Sequence, residues 1–319
     1  MLNSTPDNQG KKLLIGDIGG TYARLALAEP GATEPIGERR YFCADFPGVE
    51  PLLADFLATA GADIEAGCLG VAGPIGDEGR CAKLTNLPWT IDAEGLEERF
   101  GIGRLRLAND FAAAAMGITV TPANSLVRLQ AGHPLPRAPK LVVGAGTGLG
   151  MAILVHVDGR WLVLPGEGGH IGFAPLDEAQ ARLWQVLKNE YGRVTAERVI
   201  SGPGLSEIHR ILSGKTLTPA AVASAAIDDS DAAARRSADM FLAAYGGFAG
   251  DMALAVMARG GVFLAGGIAA KLLPLLPSSP FLESFRAKAE HAALAADMPV
   301  AVATDPVLGL RGAAVMAGN

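Results

Sequence analysis

The chain has 319 residues, half of them hydrophobic, with few aromatics and a formal charge of -6. That length exceeds what a single core usually supports, so two domains or one large α/β unit are expected. The acidic balance, with no basic run, excludes the electrostatic footprint of a nucleic-acid binder, and three cysteines without C-x-x-C spacing exclude a disulfide frame or a zinc site.

Those cysteines, Cys43, Cys68 and Cys81, read as reduced thiols, and a cytoplasmic protein is expected. Residues 1–12 are polar and lack the apolar core of a signal segment. Residues 12–17 and 23–28 form two apolar runs around Gly19-Gly20, which predicts a hairpin. Residues 67–72 read as a strand closed by Gly73-Pro74. Asp92 is placed to cap a helix running through Phe100. Residues 104–108 alternate as a strand, and the alanine-rich 111–116 follows as a helix. The proline-rich stretch 134–139 is a candidate domain boundary. The hairpin theme then repeats: strand 140–143, glycine turn 144–150, strand 151–157. The weakly charged 141–157 is broken by glycines, which predicts buried strands and not a membrane span. Helices are expected over 178–190, 196–200, 205–211, 219–236, 238–258 and 308–316, with a buried strand at 262–264. The helix 238–258 is either core or a dimer face, and a homodimer is expected.

Gly16-Asp17-Ile18-Gly19-Gly20-Thr21 suits a phosphate, because glycines let backbone amides approach an anion and Thr21 adds a hydroxyl. Asp17 is placed to hold Mg²⁺ through water. The plain alternative is a hairpin turn with an Asx hydrogen bond. A second glycine turn, with Gly146, Thr147 and Gly148, leads into a strand and not a helix, which argues against a dinucleotide fingerprint. Two such turns can clamp a polyphosphate. Gly214-Lys215-Thr216 imitates the end of a P-loop, but His209 stands where its first glycine belongs. Asn109-Asp110 ends a strand and opens a helix; a carboxylate there can accept a hydroxyl proton, while the plain reading is a helix cap. Glu167 and His170, in the loop 165–172, suit the vicinal hydroxyls of a sugar better than a metal, which finds no further close ligands. A solvated loop is the bland alternative. Glu197 alone reads as a first-turn helix acid. Asn86 is placed to line a pocket, with Trp89 beside it as packing. Gly266 and Gly267 end a strand and leave room for an adenine.

Together these residues resemble the bacterial ATP-dependent glucokinase family, within the sugar kinase/actin/heat-shock chaperone ATPase superfamily. The resemblance runs from Leu14 to Gly312 and is most specific in the 165–170 loop, the 144–150 turn and Asn109-Asp110, with Ser201-Gly202-Pro203-Gly204 in support. It implies two α/β domains of duplicated actin-like (ribonuclease H-like) fold around a central cleft. The small domain would hold 1–120 plus 306–319, and the large one 121–305. It implies that Gly16 to Thr21 and Gly146 to Gly148 bind the phosphates of ATP, and that Gly266 and Gly267 lie on the adenine side. Asn109, Glu167, His170 and Glu197 would hold glucose hydroxyls, and Asp110 would be the base that yields glucose 6-phosphate, the first step of glycolysis. The chain departs from the family at Tyr22, where Asn is usual. The residues leave two alternatives open: a kinase for another hexose, or a non-catalytic sugar or nucleotide sensor.

Overall fold

The computed structural model describes residues 10–76 and 79–318. The polar start of the chain, residues 1–9, therefore lies outside the described residues. The chain divides into two compact units: one runs to Thr121 and takes up the segment from Pro306, the other spans Pro122–Asp305. Residues 134–139 lie inside the second unit, so that proline-rich stretch is a surface connector and not the boundary.

In the first unit, β1 (Lys12–Ile18) and β2 (Tyr22–Ala28) form the expected hairpin, with Ile18 opposite Ala23. β3 (Ile36–Phe42) extends it, then α1 (Val49–Ala60) leads to β4 (Ile64–Val71). A small antiparallel sheet follows from β5 (Ile75–Gly76), β6 (Cys81–Lys83) and β7 (Thr90–Asp92). The Asp92 carboxylate accepts from the Glu94 amide and so caps α2 (Ala93–Phe100). β8 (Leu105–Asn109) runs directly into α3 (Asp110–Gly117). The main sheet has the order β3-β2-β1-β4-β8, with β1, β4 and β8 parallel. Their carboxyl ends therefore align, Ile18 beside Val71 and Val71 beside Asn109.

The second unit repeats that strand order. β9 (Leu126–Gln130) is followed by the hairpin of β10 (Lys140–Ala145) and β11 (Leu149–Val157), and then by β12 (Arg160–Gly166). After the helices α4 (Glu178–Tyr191), α5 (Ala196–Val199), α6 (Gly202–Ser213), α7 (Pro219–Ile227) and α8 (Ala232–Val256) come β13 (Gly261–Ala265), α9 (Gly267–Lys271), α10 (Phe281–Arg286), α11 (Ala292–Asp297) and β14 (Val300–Ala303). The sheet order is β12-β11-β10-β13-β14-β9. The expected helix 219–236 is broken at 228–231, where Asp231 caps α8 by accepting from the amides of Ala233 and Ala234. α8 is core: Phe241, Leu242, Tyr245 and Ala249 are buried, and Gly246 and Gly250 let the backbone of α10 lie against it.

The last helix, α12 (Leu308–Ala317), returns to the first unit and packs on α3. A β-carbon on Gly312 would fall 1.7 Å from the Ala113 carbonyl oxygen, and one on Gly117 2.2 Å from that of Leu308. Glycine alone permits this backbone approach.

Candidate functional site

In the first unit the predicted residues collect at the carboxyl ends of the parallel strands, where open α/β sheets bind ligands. Gly16 and Ile18 are part of β1 with their side positions in the core; a β-carbon on Gly16 would overlap Leu69 and Leu25. The turn itself is Gly19-Gly20-Thr21, closed by the Gly19 amide donating to the Tyr22 carbonyl at 3.0 Å. Gly20 is seated against Asn86, whose Cβ would lie 2.9 Å from a β-carbon at that position. The close seat against Asn86, itself a predicted sugar residue, is thus enough to demand glycine at this position. Trp89 is buried, as its packing role required.

Asn109 caps α3: its Oδ1 accepts from the amides of Phe111 at 3.0 Å and Ala112 at 3.1 Å. Asp110, the first helical residue, accepts the Phe111 amide at 2.7 Å through Oδ1. The cap and the carboxylate are therefore separate residues, which leaves Asp110 partly accessible at the strand end.

Asp17 faces the first turn of α12, with Oδ2 3.2 Å from the place a β-carbon would take on Gly309. Burial pushes its carboxyl above the usual range; Arg24 pulls it down and Glu38 raises it further. A partly buried carboxylate whose charge is disfavoured suits a hydrated divalent cation, whose charge would offset that cost. Among the described residues no cluster of three or more His, Cys, Asp or Glu side chains is placed to ligate a metal directly.

In the second unit, β10 and β11 close more tightly than expected, with Ala145 opposite Leu149, so the turn is Gly146-Thr147-Gly148. Glu197, in α5, reaches back to this turn: its Oε2 accepts the Leu149 amide at 2.9 Å. A β-carbon on Gly148 would fall 2.5 Å from that oxygen. The 165–172 segment is part strand. Pro165 and Gly166 pair with Ala152 and Met151, and a short turn over Gly168–His170 follows. Gly168 and Gly169 are buried against β11, which throws Glu167 and His170 outward, their side chains 88% and 62% exposed and 3.9 Å apart.

Two cavities flank the turn. One, of about 230 Å³, is mostly apolar, with Gly146, Gly267, Ile268, Leu205 and Ala223 among its lining residues. Gly266 has φ 86°, and a β-carbon there would fall 2.7 Å from the Ala145 carbonyl oxygen, so glycine is what lets β13 turn into α9 beside this cavity. The other, of about 430 Å³, is polar and joins Thr147, His170 and Glu197 to Tyr191, Arg198, Ser206 and Glu207. Those last four were missed from sequence. Ser201-Gly202-Pro203-Gly204, at the start of α6, was the only nearby signal for them.

The sequence matches the family model described as Glucokinase over residues 14–319. The glucokinase of Cronobacter sakazakii is 38% identical over 309 residues, 95% of this chain and 96% of that protein. The crystal structure of a glucokinase from an Antarctic psychrotroph superposes with a TM-score of 0.86 at 31% identity, covering 97% of this chain and 99% of that one. A ROK family glucokinase from Streptomyces griseus, solved with glucose and AMPPNP, shares the fold at 21% identity and a TM-score of 0.64, covering 96% and 99% of the two chains.

Proposed function

The chain belongs to the glucokinase family, and from that premise we propose how its residues carry the terminal phosphoryl group of ATP to the 6-hydroxyl of D-glucose. It is a hexose kinase, and glucose phosphorylation is its function. The observation that carries the assignment of roles is that each glycine turn is seated against a side chain of the sugar set, Gly20 on Asn86 and Gly148 on Glu197. A phosphate held by the turn amides then lies one residue from a group that holds the sugar.

In this reading Asn86, Asn109, Glu167, His170 and Glu197 hold sugar hydroxyls. Asp110 accepts the 6-hydroxyl proton as that oxygen attacks the γ-phosphorus. The amides of Gly19 to Thr21 and Gly146 to Gly148, with the two threonine hydroxyls, stabilise the charge spread over the transferring group. The apolar cavity beside Gly267 takes the adenine. Asp17 would hold Mg²⁺ through water, and the ion, when bound, would help neutralise the charge of the phosphates. The shared strand order of the two sheets supports reading the units as domains of one duplicated actin-like fold. A homodimer in the cytoplasm completes the proposal. Three cysteines without a disulfide suit that compartment, and no helix among the described residues is long and apolar enough to cross a membrane.

A coupled spectrophotometric assay with ATP-Mg²⁺ and a panel of glucose, mannose, fructose and N-acylated hexosamines tests the reading. Glucose is expected to give the highest kcat/KM. Tight glucose binding with no ATP-dependent product from any hexose would replace it with a sensor.

A further inference from the structure

Tyr22 opens β2 directly after the turn Gly19-Gly20-Thr21 and stands opposite Phe42, at the end of β3. The two rings lie 5.5 Å apart, tilted by 52°, and both are nearly half exposed. Arg40, two residues back along β3, shares their face of the sheet and lays its guanidinium carbon 3.7 Å from the centre of the Tyr22 ring. Its cross-strand neighbour Arg24 is occupied by Glu38 and by the Pro306 carbonyl. Arg40 itself has no carboxylate partner among the described residues. A guanidinium stacked on a ring keeps its N–H rim free, and that rim matches the oxygens of a phosphate.

β3 also fixes which way the turn faces. The Cys43 amide donates to the Thr21 carbonyl at 2.9 Å, and its thiol to the Gly19 carbonyl at 3.6 Å. In a trans peptide the N–H points opposite the C=O. Binding those two carbonyls toward Cys43, just past β3, therefore turns the Gly20 and Tyr22 amides away from it. Residues 40–43 thus back the turn and hold a preorganised cation at its flank.

We propose that Arg40 contacts the terminal phosphates of the phosphoryl donor, and that Tyr22 is the positioning residue that holds the guanidinium beside the turn. The proposal rests on the reading that this turn binds those phosphates. It predicts that recognition of the donor depends on a side-chain cation in addition to the turn amides, and that the ring works only through the arginine it carries.

Isothermal titration with AMPPNP, tripolyphosphate and AMP tests this on the whole protein, alongside the steady-state KM for ATP and glucose. Arg40→Ala is expected to weaken AMPPNP and tripolyphosphate about fivefold, the scale of one exposed charge contact. AMP binding, the KM for glucose and the melting temperature are expected to stay unchanged. Tyr22→Ala should weaken the same two ligands by less, and Tyr22→Phe, which keeps the ring, should restore them. The double variant Tyr22→Ala/Arg40→Ala should be no weaker than Arg40→Ala, because the two act as one unit. The proposal is overturned if Arg40→Ala binds AMPPNP like the unaltered chain, or if the two losses add in full. In either case the kinase reading survives so long as the unaltered chain phosphorylates glucose. If the unaltered chain binds no AMPPNP, both fall.

Discussion

The carboxylate of Glu197 rests on Gly148: its Oε2 accepts the amide of the next residue, Leu149, at 2.9 Å and fills the space a β-carbon on Gly148 would need. One contact therefore sets both the shape of the turn proposed for the phosphates and the aim of the side chain proposed for the sugar. Gly148→Ala is expected to push the flexible end of Glu197 aside at little cost in melting temperature. Kinase assays should show a higher KM for glucose and a kcat reduced about 10- to 100-fold, as befits a displacement of about an ångström at a reacting site. An unchanged kcat/KM for glucose would separate the turn from the sugar.

Asp110→Asn keeps an oxygen that can accept the Phe111 amide, so α3 should hold its start and the melting temperature should stay close to that of the parent. Turnover should fall by about 10²- to 10⁴-fold, the usual share of a positioned base, while glucose binding by calorimetry persists. Near-normal turnover with sugar bound would remove Asp110 from the proton transfer.

Asp17 carries a stability cost. Its carboxyl titrates above the ordinary value of 3.8 because burial disfavours the charge. The fold therefore prefers the protonated acid, and stability declines as the pH rises through that value toward the raised one in the folded protein. Asp17→Asn should melt higher than the parent at neutral pH, and the gap should close below 3.8. The same substitution should abolish most kinase activity. A lower melting point at neutral pH would show that the charged carboxylate is stabilising.

The opposite sign is expected at Glu97. Arg80 grips both of its oxygens at 2.7 Å and the Leu105 amide adds a bond, so its carboxyl is held below the usual range. That contribution is complete above the ordinary value of 4.5 and is lost as the pH falls through the lower, folded one. Since Arg80 is 38% exposed, solvent screens the pair. Glu97→Gln should cost about 1 kcal/mol near neutral pH by urea titration, with the difference vanishing in acid.

Local chemistry made part of this architecture legible. The hairpin around Gly19-Gly20, the Asp92 cap and the burial of Trp89 each follow from a few adjacent residues. β12 was hidden because Pro165 and Gly166 read as loop, yet both pair with β11 at a sheet edge, where a missing amide is tolerated. β3 was hidden by Glu38, Arg39 and Arg40, whose charges suit an exposed edge strand. The break between α7 and α8 was masked by alanines on both sides, and only Asp231 as a cap marks it. At the site, Asn109 and Asp110 could be separated into cap and carboxylate only by seeing which amides each accepts. No local pattern links Gly148 to Glu197, 49 positions later, or Gly20 to Asn86. Those pairings exist because the sheets bring distant segments to one edge.

The return of α12 to the first unit has a consequence for how the protein is made. Gly117 and Gly312 interlock two helices whose sequences leave the ribosome nearly two hundred residues apart. The whole of the second unit is synthesised between them, and domains tend to fold as units during synthesis. The second unit is thus expected to reach its native state first, while β1, β4 and α3 wait with one side of their core uncovered. The site on the first unit, Asp17 included, is complete only when the final helix arrives, so a chain that stops short of it should be recognised by chaperones and proteases before it can act on any sugar.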